Sequence, residues 1–358
     1  MVSARARALA MARVGGPAAG RGARRRSDLL RRSAARGSKA SNGQGGNEKR
    51  VCSGASAEEP KSSKSSKNRM ASLCIDVLFR VAGKRALVTG GGRGIGKMIA
   101  KGLVANGARV AIASRDEKVL AAAVQEINGD SNDSGGSCYA IPANLSTRAG
   151  CEQLAADYAA AGESRCDILV NNSGVSWGEP LERESGKLNW GWDRVLDLNV
   201  KAPFYLTRAM LSLLRHPSGS AEDVTDLARV INIGSIAGVL PQDVPTHAYD
   251  VSKAAIHHLT KKLSADLARP QAAGQRGVSV NAIALGFVPT KMSKGLEAWG
   301  ADEKVLSASV PLGRCGTEMD VAGAVLYLAS PAGSWLTGAI IPIDGGATGA
   351  RLIPVMPE

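Results

Sequence analysis

Arg85-Ala-Leu-Val-Thr-Gly-Gly-Gly-Arg-Gly-Ile-Gly96 is the stretch on which the fold turns. Arg85–Thr89 has β-favouring residues and no helical spacing, so it reads as a strand. Glycine fills positions 90, 91, 92, 94 and 96, and an amphipathic helix is predicted to follow to about Asn106. In a strand–loop–helix setting, such glycines permit a tight turn and let the backbone approach a ligand closely. The helix start offers free N–H groups and the positive end of its dipole, which suits an anion. Gly90, Arg93, Gly94, Ile95 and Gly96 are therefore expected to hold a phosphate-bearing ligand.

The same alternation continues outward. Further strands are expected at 109–113, 138–142, 167–171, 229–233, 278–284 and 339–343. Helices fill most of the gaps: one ends near Asn128, and the clearest are Trp192–Leu214, Tyr249–Leu267 and Met319–Leu328. Continuous Val/Ile/Leu/Ala strands imply burial on both faces, as in a parallel sheet sandwiched by helices. The crossovers are long enough for right-handed βαβ units. The expectation is one doubly wound α/β domain over 70–358, with a seven-stranded, mostly parallel sheet and helices on both faces.

Charge is distributed unevenly. Residues 1–70 hold 17 Lys/Arg against 4 Asp/Glu, which accounts for the whole formal net charge of +13, and the remainder carries 28 of each sign. Residues 1–69 are Arg-, Ser- and Ala-rich and acid-poor, so they read as a disordered basic leader. That composition fits an organelle transit peptide. A solvated basic arm, or a true start at Met70, fits it too. A neutral folded part argues against nucleic-acid binding, which needs basic residues on the folded surface. Cys52, Cys74, Cys138, Cys151, Cys166 and Cys315 show no metal-ligand spacing and read as reduced thiols, with no metal site expected. No apolar run reaches the roughly 18–20 residues of a membrane span.

Two positions bear on the ligand. A dinucleotide site for NAD usually places an acid at the end of the second strand to hold the ribose 2′-hydroxyl. Here that strand ends Ala113-Ser114-Arg115. Arg115, with Arg93 in the glycine loop, can pair with a 2′-phosphate, so NADP(H) is expected. Asp116, one residue later, is the feature that could reverse this choice.

Downstream, Tyr249-Asp-Val-Ser-Lys253 places a phenol and an ammonium four residues apart on one helix face. A phenol of pKa about 10 is a poor acid–base catalyst at neutral pH. A neighbouring Lys⁺ is expected to draw it toward the working range.

At this point the sequence resembles the short-chain dehydrogenase/reductase family, over residues 80 to 346. The motifs are Thr89–Gly96, Asn171-Asn172-Ser173-Gly174, Asn199 in Leu198-Asn199-Val200, and Ser235 in Ile233–Gly238. The Tyr249/Lys253 pair and Gly286-Phe-Val-Pro-Thr290 complete the set. The resemblance implies a Rossmann-type fold and a tetrad of Asn199, Ser235, Tyr249 and Lys253. In it, Tyr249 exchanges a proton with the substrate oxygen, and Ser235 positions and polarises the carbonyl. Lys253 lowers the Tyr249 pKa and binds the nicotinamide ribose, while Asn199 holds a relay water. By the same resemblance, Asn144, Leu145, Asn171, Ser173 and Gly174 lie along the adenosine side. Gly286, Val288 and Thr290 lie at the carboxamide. Three departures stand out: Ser173 for the usual Ala, Asn144 for the usual Asp, and Leu285 for the usual Pro, which is expected to loosen the loop after it.

Details such as Asn171–Glu182 and Ser252–Thr260 look like the 3-oxoacyl-thioester reductase branch, nearest to the reductases of rhamnolipid synthesis. This implies an acyl carrier protein or coenzyme A thioester as substrate, with acyl carrier protein as a partner. A reductase of small ketones, quinones or sugars is the alternative, and an idle NADPH-binding protein is a further one. Lys291–Ser309 is expected to be the lid that selects substrate, and Trp177 is expected near its mouth. Family members are mostly tetramers built on the two long helices, so a homotetramer is expected. If the leader is genuine the compartment is an organelle, with the plastid stroma first, then the mitochondrial matrix; a start at Met70 would leave the protein in the cytoplasm.

Overall fold

The computed structural model describes residues 73–130, 134–183, 189, 191–216, 227–293 and 303–350. The predicted leader and residues 294–302 of the predicted lid lie outside these. A short helix α1 (Ile75–Leu78) precedes β1 (Arg85–Thr89), and then comes α2 (Gly94–Ala105). The chain continues through β2 (Arg109–Ser114), α3 (Glu117–Asp130), β3 (Ser137–Pro142), α4 (Arg148–Ala160) and β4 (Ile168–Asn171). Helices α5 (Trp192–Leu196), α6 (Ala202–Ala209) and α7 (Leu211–Leu214) lead to β5 (Ala228–Ile233). The last elements are α8 (His247–Leu267), β6 (Val278–Leu285), α9 (Glu303–Ser309), α10 (Glu318–Ala329) and β7 (Ile340–Ile343).

The seven strands form one sheet in the order β3-β2-β1-β4-β5-β6-β7. Every pairing among them is parallel. The expected doubly wound α/β fold is therefore present, and the sheet is parallel throughout. Because side chains alternate across a strand, each strand feeds two cores. Ala86, Val88, Val110 and Ile112 join Ile99 and Leu103 of α2, Leu120 of α3 and Val325 of α10 on one face. Leu87, Ala111 and Ala113 join Leu154 and Tyr158 of α4, Leu206 of α6 and Leu263 of α8 on the other.

The predicted helix Trp192–Leu214 is not one regular helix. A π-helical turn, Asp197–Lys201, separates α5 from α6, and Met210 interrupts the run before α7. Pro203 supplies the cause. It has no N–H to return to the Asn199 carbonyl four residues earlier, so the α ladder cannot continue through this point. Leu285, which stands where the family usually has proline, is the last residue of β6. It is buried and paired with Ile343, and the next N–H, of Gly286, donates to Ile343 O at 3.0 Å. The parallel register with β7 thus holds to the last residue of β6, and the loop after it starts from a hydrogen-bonded anchor.

At the opposite end of the sheet lies a buried ion pair. Arg276 Nη1 donates to Asp167 Oδ1 at 2.9 Å, Arg276 Nη2 to Cys166 O at 2.9 Å, and Arg276 Nε to Leu214 O at 2.8 Å. The backbone N–H of Arg85 and the partly exposed Arg165 occupy the rest of the carboxylate. Removing one partner of such a pair leaves an uncompensated charge in low dielectric. Arg276→Met is expected to cost about 3 kcal/mol, read as a lower urea midpoint. A loss under about 1 kcal/mol would mean that Arg165 alone satisfies Asp167.

Candidate functional site

Parallel strands align their carboxyl ends on one edge, and the winding direction reverses between β1 and β4. In open α/β sheets the crevice at such a reversal is where ligands bind. The loops after β1, β4, β5 and β6 all leave from this edge.

The glycine loop after β1 is shaped by close packing. Gly90 and Gly94 have φ of 67° and 52°, a region that favours glycine. A β-carbon at Gly96 would collide with the Gly90 carbonyl, and one at Gly91 would meet Ile112 within 2.6 Å. Helix α2 begins after Arg93, whose side chain does not cap it, so its first N–H groups face the loop. Ile95 packs against the core and braces this end. The loop is tied to the exit of β4 through Thr89, whose hydroxyl accepts from Asn172 N at 2.9 Å and Ser173 N at 3.0 Å. Asn172 Nδ2 donates to Thr89 O at 2.8 Å.

Arg93 and Arg115 are both exposed. Neither makes a side-chain hydrogen bond or ion pair among the described residues. Asp116 is engaged elsewhere: its carboxylate accepts from Val119 N at 3.1 Å and caps the start of α3. The acid that could have favoured a ribose hydroxyl therefore serves a helix. A crevice with an uncapped helix start, glycines that admit no β-carbon and two uncommitted guanidinium groups fits a dinucleotide carrying an extra phosphate.

The other predicted contact residues also make contacts within the protein. Asn171 turns its amide into the interior, donating to Asn232 Oδ1 at 2.9 Å, and Asn232 Nδ2 donates to Thr260 Oγ1 on α8 at 2.9 Å. Asn144 Oδ1 accepts from Ser146 N at 3.2 Å and Ser146 Oγ at 2.8 Å, which uses both its lone pairs. Leu145 is buried in the core, and Gly174 lies against the Asn199 amide. Gly286 abuts Asp344, Val288 is buried against Gly316, and Thr290 sits next to Gly94, so the loop after β6 closes over the glycine loop. Trp177 packs on Gly191 at the start of α5 and donates from Nε1 to Glu179 Oε2 at 2.9 Å.

The four residues of the predicted tetrad do converge. Ser235 follows β5; its hydroxyl accepts from Ala237 N at 3.2 Å and bears on the Tyr249 phenol, favouring its ionised form. Lys253 Nζ lies 5.4 Å from the centre of the Tyr249 ring and donates to Ile233 O at 2.8 Å. Asn199 sits in the π turn; its Nδ2 donates to Val175 O at 2.9 Å and Ser252 Oγ at 3.0 Å, and its Oδ1 accepts from Val175 N at 2.9 Å. Ser252 Oγ in turn donates to Tyr249 O at 2.7 Å. For a water Asn199 retains the second lone pair of its Oδ1 and its main-chain carbonyl, to which Pro203 gives no N–H.

The electrostatics depart from expectation in one respect. Burial pushes the Tyr249 phenol up, and the Ser235 hydrogen bond pulls against it. Burial lowers the Lys253 ammonium to about 8. Desolvation outweighs the lysine, because the ammonium is turned to the Ile233 carbonyl and not to the phenol oxygen. At neutral pH the arrangement presents a protonated phenol and a charged ammonium, a pair suited to giving a proton to an oxygen. Sequence reasoning placed Thr89, Asn172 and Ser252 within motifs but gave no role to them or to Asn232 and Thr260, since the partners of single polar residues at long sequence separations carry no spacing signal.

The comparisons agree with this geometry. The family described as Enoyl-(Acyl carrier protein) reductase matches residues 90–348. The rhamnolipids biosynthesis 3-oxoacyl-[acyl-carrier-protein] reductase of Pseudomonas aeruginosa is 44% identical over 274 residues, covering 75% of this chain and 97% of that protein. Galactitol 2-dehydrogenase of Rhizobium johnstonii is 34% identical, covering 75% and 97% respectively. Among solved structures, the Pseudomonas aeruginosa RhlG/NADP active-site complex superposes with a TM-score of 0.66 at 42% identity, covering 76% of this chain and 98% of that one. Fold, glycine loop, tetrad and these likenesses together show that the chain belongs to the short-chain dehydrogenase/reductase family.

Proposed function

We propose that the protein is an NADPH-dependent oxidoreductase that reduces a 3-oxoacyl thioester, on acyl carrier protein or coenzyme A, to the 3-hydroxyacyl form. The observation that carries this is the convergence of Ser235, Tyr249 and Lys253 beside a dinucleotide-shaped crevice. The 44% identity to a 3-oxoacyl-[acyl-carrier-protein] reductase supports the substrate class, and the solved NADP complex of a similar chain supports the cofactor.

In this reading the bound cofactor supplies the hydride. The chain's own residues place and protonate the substrate. The Ser235 hydroxyl orients the carbonyl oxygen toward Tyr249, whose raised pKa keeps its proton in place for delivery as the oxygen gains charge. Lys253 stabilises the phenolate left behind and is fixed by the Ile233 carbonyl. Arg93 and Arg115 hold the 2′-phosphate. Asn199 braces Val175 and the Tyr249 turn through Ser252, and its carbonyl holds the relay water. Family resemblance supports a homotetramer, and the composition of the leader supports an organelle, the plastid stroma first on the fatty-acid reading and the mitochondrial matrix next. The alternative of a polyol or sugar substrate has support from galactitol 2-dehydrogenase at 34% identity.

Residues 70–358 with NADPH and an acetoacetyl thioester are expected to oxidise the cofactor. Tyr249→Phe is expected to lower kcat at least about 100-fold, as loss of a general acid does. Turnover of galactitol-type polyols but not of the thioester would move the assignment to the alternative. Arg115→Ala is expected to raise the KM for NADPH about 10- to 100-fold by removing a charged phosphate contact, leaving NADH kinetics unaltered. An equal effect on both cofactors would overturn the phosphate role. The ratio kcat/KM for NADPH reports groups of the free protein, so it is expected to fall as pH rises through about 8, where Lys253 loses its charge. A profile flat to pH 10 would remove Lys253 as the required cation.

A further inference from the structure

Ser235 and Tyr249 stand at the two ends of one connection, from β5 to α8. After the turn at Ile236–Gly238, Val239 N and Leu240 N donate to the Ile236 carbonyl at 2.8 and 2.9 Å. Pro241-Gln-Asp-Val-Pro245 follows. Its two prolines have no N–H to donate, so the stretch cannot fasten itself through a regular ladder. It is fastened from outside, on two sides. Glu179 N, in the segment after β4, donates to Pro245 O at 2.8 Å. Asp250, the residue after Tyr249, takes the other side: its Oδ2 accepts from Gln242 N at 3.3 Å and its Oδ1 from Thr246 Oγ1 at 2.8 Å.

Thr246 is the N-cap residue of α8, where a threonine hydroxyl ordinarily accepts from a free N–H of the first turn. Here the side chain caps none of them. Its proton goes to the Asp250 carboxylate, a charge-assisted bond. Thr246 is 5% exposed, so water cannot readily replace that partner. The place matters because His247, Ala248 and Tyr249 are the first three residues of the helix. Their N–H groups have no acceptor within it, and helix ends of this kind fray. The proton donor therefore sits in the turn of α8 that the helix's own bonds hold least. We propose that Asp250 is a positioning residue for Tyr249, its carboxylate clamping Gln242–Thr246 to the first turn of α8 so that the phenol is presented at a fixed place beside Ser235. This role rests on the proposed one of Tyr249 as proton donor. It asks two things of the side chain, that it be short and that both its terminal atoms hydrogen-bond. An alanine there would release the loop and the turn together.

The test compares Asp250→Ala, Asp250→Asn and Thr246→Val in the full chain, with Asp243→Asn, an exposed acid of the same loop, as control. NADPH titration counts the folded sites, hydrogen–deuterium exchange follows residues 239–249, and kcat is read with the acetoacetyl thioester. Asp250→Ala is expected to bind NADPH as the parent does, to exchange about tenfold faster in 239–249, and to lose about tenfold in kcat, the worth of a hydrogen bond to a charged acceptor. Asp250→Asn is expected to restore most of both losses, since its amide oxygen can accept from Gln242 N while its nitrogen donates to Thr246 Oγ1. Thr246→Val keeps the shape without the donor and is expected to lose about fivefold in kcat. In an Asp250→Ala background the same change is expected to cost less than about twofold, because its acceptor is gone. Asp243→Asn is expected to change neither exchange nor kcat. Unchanged exchange in Asp250→Ala, losses of Asp250→Ala and Thr246→Val that multiply, or no rescue by asparagine would each overturn the proposal. If the parent turns over no thioester, the substrate reading fails, and the exchange comparison with its rescue alone decides the role of Asp250. If Asp250→Ala does not fold, Thr246→Val set against the parent decides it.

Discussion

Helix α8 approaches the exit of β5 more closely than side chains would allow. A β-carbon at Gly238 would run into the Lys253 backbone, and one at Gly234 into the His257 ring. Two glycines four residues apart therefore set the distance between a loop and a helix. Everything reactive in the molecule is arranged about that distance. Ser235 lies between the glycines, while Tyr249 and Lys253 lie on the helix they admit. Without the close approach the serine hydroxyl could not meet the phenol, and the Ile233 carbonyl could not take the lysine ammonium at 2.8 Å. Interiors at crystal-like packing density transmit such constraints with little slack.

A second set of contacts fixes the nucleotide half of the crevice to the catalytic half. Asn171, Asn232 and Thr260 form a hydrogen-bonded line from β4 across β5 to α8, and Asn232 is 0% exposed. Buried polar groups are costly unless satisfied, and once satisfied they specify one arrangement. Thr89 and Asn172 do the same between the glycine loop and β4. Asn199 joins the remaining piece, reaching Val175 on one side and the tyrosine turn on the other. The lines cross near the middle of the sheet's carboxyl edge, where the winding direction reverses.

Most of this architecture was legible in the residues. The strands announced themselves as short apolar runs, because a sheet covered on both faces has no polar side to show. The glycine loop and the Tyr249/Lys253 pair were legible because each is a local spacing with a geometric meaning. Legibility ended where one local signal overrode another. Trp192–Leu214 reads as a continuous helix, and only Pro203, one residue in twenty-three, records that the ladder breaks beside Asn199. Leu285 reads only as a departure from the family's proline, and its pairing with Ile343 at the end of β6 is visible only in the folded sheet. Asn144 and Asp116 read as candidate ligand contacts; both are occupied by their own backbone neighbours, a competition that short polar side chains commonly enter.

By itself the sequence determined the α/β class, the seven strands, the phosphate loop and the Tyr249/Lys253 pair, because periodicity and short spacings are written along the chain; Asn199 and Ser235 came from the family resemblance. Only the tertiary structure decided which polar side chains face the crevice and which are used internally. Asn171 meets Asn232 across 61 residues, and Asp167 meets Arg276 across 109. It also decided the sign of the electrostatics at Tyr249, since burial depends on what packs around a group and not on what precedes it in sequence.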